Sequence, residues 1–392
     1  MTLTYKHTQK ACCLAYMTGA LVNNFAALLY VMFQKSFGIS LTQIGIIMGI
    51  NFAIQIAVDL IGAKYAERIG YRKCAVSAFV FAALGLILMP FLTIIMADKF
   101  GAILISICLS AIGSGLLEVI ISPITEALPL DKKSGAMSLL HSFYSWGSVL
   151  VIAASALFFA IFGMESWRVL TLLWALLPLS TLAVFLFVPI RTLKSSHGGF
   201  VHVFKSRGFV IFLLLMTCSG AAEIAMSQWA SYFAESGLNV SKTVGDLMGP
   251  CLFALFMGFG RVGYTLFSHK INLRSYLMLS SFGCVVTYLL AALSHNPYLS
   301  LLGCALTGLF VAIAWPGVLS LASSLNPNGG TGMFAILALA GDVGCTLGPQ
   351  IVVFGASKLN ILSSPVHSGL LLAAVFPIIM IVALRLIKKG AD

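Results

Sequence analysis

Apolar stretches of about 20 residues, each long enough to cross the ~30 Å core of a bilayer as a helix, recur along this chain between short polar breaks. In that medium every backbone N–H and C=O must pair inside the segment, so a closed helix is the structure such stretches can adopt. Twelve spans are expected, at roughly 10–34, 42–63, 74–96, 101–124, 136–163, 168–190, 209–234, 244–267, 275–294, 299–322, 332–356 and 366–386. With 60% hydrophobic and 9% charged residues among 392, and a mean hydropathy of +1.02, the chain has too few polar groups to cover a soluble core of that size. The expected class is an all-α membrane protein.

The distribution of charge orients it. The net charge of +11 would suit nucleic acid, but with twelve spans and both termini inside, only Lys35, Lys99, Arg168, Lys242 and Lys358 of the 23 Lys and Arg fall outside. Arg261 lies within a span and the other 17 are cytoplasmic, a positive-inside asymmetry that makes a nucleic-acid partner unnecessary. The basic start (Lys6, His7, Lys10) runs straight into a full-length span, so no cleaved leader is expected. The nine cysteines show no metal-ligand spacing and suggest no disulfides, and no metal or cofactor is expected. Asn239-Val-Ser241 is a chance-level sequon in an outside loop.

The longest polar break, residues 191–208 ("RTLKSSHGGFVHVFKSRG"), is basic, contains Gly and Ser, and is nearly central. It divides the chain into a first six-helix bundle, 1–190, and a second, 209–392. The two halves resemble each other. "MTGALVNN" (17–24) aligns with "MTCSGAAE" (216–223), and "GLLEVIISP" (115–123) with "GLFVAIAWP" (308–316). Ser145-Trp146-Gly147 aligns with Asp342-Val343-Gly344, and "ERIGYR" (67–72) with "HKINLR" (269–274). The offsets of 199, 193, 197 and 202 are nearly constant and keep the same order, which points to a parallel duplication of a six-helix unit.

Such a duplication resembles the major facilitator superfamily along the whole chain. That family's signature between helices 2 and 3 (in outline D-x3-G-x3-D-R-x-G-R-R/K) is met by "DLIGAKYAERIGYRK", with Asp59, Glu67, Arg68, Gly70 and Arg72 in place. Ala63 and Tyr71 replace the family's glycine and first arginine. The chain is more specifically similar to the fucose-permease-like sugar symporters. Glu118 with Pro123 matches their helix 4, "LLHSFYSWG" (139–147) their helix 5 with His141 in place of a glutamine, and "GAAEIAMSQWASY" (220–232) their helix 7. The resemblance implies proton-coupled sugar import by alternating access. Those relatives also use a helix-1 acid, and here the first span offers only Asn23 and Asn24.

Glu118, Glu223 and Asp342 are acids deep in spans, and a charge at a helix centre costs about 2.5–3.5 kcal/mol on insertion scales, so they are expected to serve an ion or substrate path. Equal distances from the connecting loop lead to an expected pairing of Glu118 with His141, with Glu118 carrying the proton. The repeat places Glu223 opposite Asn24 across a central cavity. Arg261 aligns with Asp59, and these two, with Glu67 and Arg68, are expected to form a breakable cytoplasmic gate. Sugar needs apolar faces and hydroxyl partners; Asn24, His141, Tyr144, Trp146, Gln228, Trp229, Tyr232 and Trp315 are the candidates.

The expected protein is therefore a monomeric, proton-coupled sugar importer of a bacterial inner membrane, with lipid, proton and a small solute as its partners. The alternative is an exporter of drugs or metabolites. Against it, the fifth span reads "WGSVLVIAAS", without the G-P-x2-G-G segment of proton/drug antiporters. An enzyme is not expected, because no nucleophile–base set or His-rich loop is present.

Overall fold

Twelve helices long and apolar enough to span a membrane are present in the computed structural model, which describes residues 3–129, 133–191, 208–267, 272–325, 330–359, 362 and 364–387. They are α1 (Tyr5–Phe37), α2 (Leu41–Ile69), α3 (Tyr71–Ile95), α4 (Lys99–Ala127), α5 (Lys133–Phe162) and α6 (Met164–Phe187) in the first half. In the second are α7 (Phe209–Gly237), α8 (Lys242–Tyr264), α9 (Leu273–Leu293), α10 (Pro297–Leu325), α11 (Gly330–Lys358) and α12 (Pro365–Leu386). No strand occurs among the described residues.

Local chemistry sets the ends. Ser40 caps α2 reciprocally with Gln43: its hydroxyl accepts from the Gln43 N–H at 3.2 Å, while its own N–H donates to Gln43 Oε1 at 2.9 Å. Gly70, at φ +94°, makes the one-residue turn from α2 to α3, a conformation L side chains rarely adopt. Asn296 caps α10 by accepting from the N–H groups of Tyr298 and Leu299, with Pro297 at the first helical position.

The chain divides into two compact units, Met1–Ser195 and Ser196–Asp392. In the first, α1 packs on α4 and α5, α2 on α4, and α3 on α4 and α6. In the second, α7 packs on α10 and α11, α8 on α10, and α9 on α10 and α12. Each packing pair thus reappears six helices later, as a duplicated unit requires. The duplication reaches single hydrogen bonds. Arg72 donates to the carbonyls of Phe185, Leu186 and Val188 at 2.6, 2.6 and 2.7 Å, capping the end of α6. Its repeat partner Arg274 donates to Leu384 O of α12 at 3.2 Å.

Several helices depart from regular geometry. α1 tightens to a 3-10 turn over Ala26–Leu29, directly after Asn23 and Asn24. α7 ends in a π-helical turn at Phe233–Gly237, and α8 contains another at Leu247–Cys251, where Pro250 removes a backbone donor. Large apolar side chains such as Ile95, Leu157, Phe187, Phe282 and Leu386 are exposed, as expected of a surface that meets acyl chains.

Candidate functional site

In the first half, polar residues recur every fourth position on two helices: Asn51, Gln55 and Asp59 on α2, and Ser114, Glu118 and Ser122 on α4. At 3.6 residues per turn each set forms one stripe. The helices bring the stripes together because glycines let the backbones approach. A Cβ on Gly115 would lie 3.1 Å from Gln55 Cα, and one on Gly62 would lie 3.1 Å from the Val119 side chain.

The hub of this layer is Asn23 of α1. Its amide N donates to Gln55 Oε1 at 3.5 Å and to the Tyr144 hydroxyl of α5 at 3.4 Å. Its oxygen accepts from Gln55 Nε2 at 3.2 Å and from the Ser114 hydroxyl of α4 at 3.5 Å. Four helices therefore meet on one side chain. Asn24, the candidate from the sequence, bonds more locally, to the Ala20 carbonyl at 2.8 Å and to Ser148 Oγ at 3.1 Å.

One turn beyond, carboxylate oxygens of Asp59 and Glu118 lie within 4.8 Å of each other. Asp59 is 18 residues after the start of α2 and Glu118 is 19 after the start of α4, so the parallel-running helices carry them to one level. Asp59 is half-buried and Glu118 exposed. His141 packs edge-on against the Tyr16 ring, with centroids 5.2 Å apart, and the Tyr16 hydroxyl shares a 2.7 Å hydrogen bond with Ser122, one turn past Glu118. Tyr16 is thus the connection between α4 and α5 at this level.

Of the residues expected to form a gate, Asp59 lies near Glu118, Arg68 is exposed, and the Glu67 side chain lies outside the described residues. Arg261 Nη2 lies 3.9 Å from Glu223 Oε2 and its Nε donates to the Ala312 carbonyl at 3.3 Å. In the same half, Trp229 meets Tyr232 edge to face at 5.5 Å, and Gln228, Trp229 and Tyr232 are all buried. Trp315 is half-buried, its ring filling the space where a Gly341 side chain would be. Asp342, on α11, is half-buried. Trp146 shares its side of α5 with exposed Leu150, Leu157 and Ile161, while Tyr144 and Ser148 turn toward α1.

Sequence reasoning missed Asn23 and Gln55 as a pair and the Asp59–Glu118 contact. The four-residue spacing on α2 and α4 was the available signal. A second polar set, Ser231, Lys242 and Asp246, lies between α7 and α8: the Lys242 ammonium sits 2.8 Å from Asp246 Oδ2 and donates to Ser231 Oγ at 3.1 Å. The Ser231 hydroxyl itself donates to Asp246 Oδ1 at 2.5 Å.

Comparison with known proteins adds the family and the fold. The family model of the Major Facilitator Superfamily matches residues 12–349. Among solved structures, the chain is similar to the fucose:proton symporter of E. coli, at TM-score 0.64 and 16% identity over 97% of this chain and 98% of that one. It is also similar to a D-xylose-proton symporter, at TM-score 0.78 and 14% identity over 98% and 96%. A bacterial homologue of the human lysosomal transporter Spinster matches at TM-score 0.76 and 13% identity over 97% and 96%. No curated protein matches.

Proposed function

The chain belongs to the major facilitator superfamily and is a multi-pass membrane transporter rather than an enzyme; from that premise we propose that it imports a sugar, or a similarly polar small solute, together with protons. The observation that carries this reading is the Asp59–Glu118 pair beside the Asn23 layer. Two ionised carboxylates at that separation repel by on the order of 3 kcal/mol at an effective dielectric of ~20. A single shared proton removes the repulsion, which makes the pair a natural place to load one and release it when the site hydrates. Glu118, the more exposed member, exchanges the proton with water.

Amide and hydroxyl groups on four helices beside that proton site suit a ligand rich in hydroxyls, and Tyr16, His141 and Tyr144 supply the apolar faces. In the second half, Glu223, Asp342, Gln228, Trp229, Tyr232 and Trp315 remain candidates for substrate or proton contact. Fold likeness to two sugar:proton symporters supports the substrate class. The charge asymmetry supports an orientation with both termini cytoplasmic in an inner membrane.

The test is external pH on lightly buffered, de-energised cells while hexoses, 6-deoxyhexoses and disaccharides are added in turn. One sugar class is expected to alkalinise the medium, with the signal abolished by Glu118→Gln and reduced by Asp59→Asn at equal expression. If Glu223→Gln alone abolishes it, symport stands and the proton site lies in the second half. If no sugar moves protons and radiolabelled uptake is also absent, import fails and the exporter reading takes its place.

A further inference from the structure

α10 is a helix with a built-in interruption. Pro316 has no N–H, so the carbonyl of Ala312, four residues earlier, loses its helical donor. The helix runs over Pro297–Val311, breaks at Ala312 and Ile313, and resumes over Ala314–Leu325. In a membrane such freed carbonyls need substitutes, and the neighbouring helices provide them. The Ser280 hydroxyl of α9 donates to the Phe310 carbonyl, and Arg261 Nε of α8 donates to the Ala312 carbonyl at 3.3 Å. Gly260 makes the reach possible, since a Cβ there would lie 2.7 Å from Ala312 Cβ and 3.0 Å from the Leu309 carbonyl. A cation at this point also meets the negative end of the first α10 segment.

The same guanidinium is shared. Its Nη2 faces Glu223 Oε2 of α7 at 3.9 Å, with the two side chains only 23% and 14% exposed. One planar group thus spans three helices: anchored in α8, aimed at a carboxylate on α7, and patching the backbone of α10. Trp315 lies just beyond the break, so the angle there determines where its indole stands.

We propose that Arg261 is a positioning residue that makes the α10 break answer to Glu223. With Glu223 charged, the guanidinium is held against the Ala312 carbonyl and α10 is clamped. When that charge is lost, the guanidinium leaves for a wetter position and α10 is free to bend, carrying Trp315 with it. The inference needs neither the coupled proton nor the sugar of the preceding section, so either can fail without the other.

Hydrogen–deuterium exchange of the full-length protein in lipid nanodiscs reads the clamp directly, in peptides covering residues 309–318. Glu223→Gln and Arg261→Met are each expected to speed exchange there about tenfold, since a hydrogen bond to a charged group is lost in both. The double variant should exchange no faster than either single one. Pro316→Ala restores the ordinary donor to the Ala312 carbonyl and should abolish both effects. If Arg261→Met does not fold, Arg261→Lys, which keeps the charge but lacks the planar fork that reaches both partners, should give an intermediate rate. The proposal is overturned if Glu223→Gln leaves α10 exchange unchanged, if the two effects add, or if they persist in the Pro316→Ala background.

Discussion

Where the first half has Asp59 on α2, the second has Arg261 on α8, and where α4 has Glu118, α10 has Val311. One scaffold therefore carries opposite electrostatic solutions at equivalent places. The first half sets two like charges side by side, an arrangement that is stable only when something neutralises it. The second pairs a cation with Glu223 and directs another of its donors to a backbone carbonyl. Both α4 and α10 contain a proline at the same repeat position, Pro123 and Pro316, yet α4 is continuous over Lys99–Ala127 while α10 breaks. Duplication preserved the packing of the helices, and divergence of a few polar side chains assigned the halves different work.

The comparison breaks most visibly at its glycines. A Cβ on Gly344 of α11 would fall on the Thr217 carbonyl oxygen of α7, whereas one on its repeat partner Gly147 would lie 3.0 Å from Met17 Cα. Gly344→Ala is expected to cost roughly 3 kcal/mol or more and Gly147→Ala about 1, because a Cβ that falls on a carbonyl oxygen forces a far larger backbone displacement than one at 3.0 Å from a Cα. Thermal unfolding in detergent measures both; equal losses would mean that the two crossings are equally tight. Next come the arginine caps. Arg72→Met removes three short bonds and should cost about 3 kcal/mol, against about 1 for the single bond of Arg274.

Within the first half, Asn23→Ala should destabilise by about 2 kcal/mol and Asn24→Ala by about 1, since interhelical polar bonds in membranes are each worth little and Asn23 makes more of them. The smallest effect carries the clearest sign. In alkaline buffer, Glu118→Gln should stabilise by relieving repulsion, while Glu223→Gln should destabilise by removing the ion pair with Arg261, each by about 0.5 kcal/mol and read as opposite shifts of the unfolding temperature. Shifts of the same sign would erase the contrast between the halves.

Hydropathy alone was enough to read twelve helices, because that signal depends on composition over many residues. Site geometry depends on single residues and is less legible. The second span, ended at residue 63 on hydropathy, continues through polar residues to Ile69, so Asp59 lies farther from the helix end than composition suggests. Asn23 and Asn24 differ by 100° around α1, too little for hydropathy to say which one faces three other helices. Helical spacing aligns Trp146 with the exposed Leu150, Leu157 and Ile161, a pattern that its polar neighbours in sequence obscure. The Arg261–Glu223 contact joins different helices with no fixed sequence separation, and only packing reveals it.

The Arg72 cap bears on how the protein is made. Arg72 emerges from the ribosome more than a hundred residues before the carbonyls of Phe185, Leu186 and Val188 that it holds, and the Thr8 hydroxyl likewise awaits Pro189 O, 2.7 Å away in the finished fold. Until the sixth helix has entered the bilayer these donors have no native acceptor; once it has, all of these bonds can form. Synthesis can therefore pause between the bundles with these closures of the first already made.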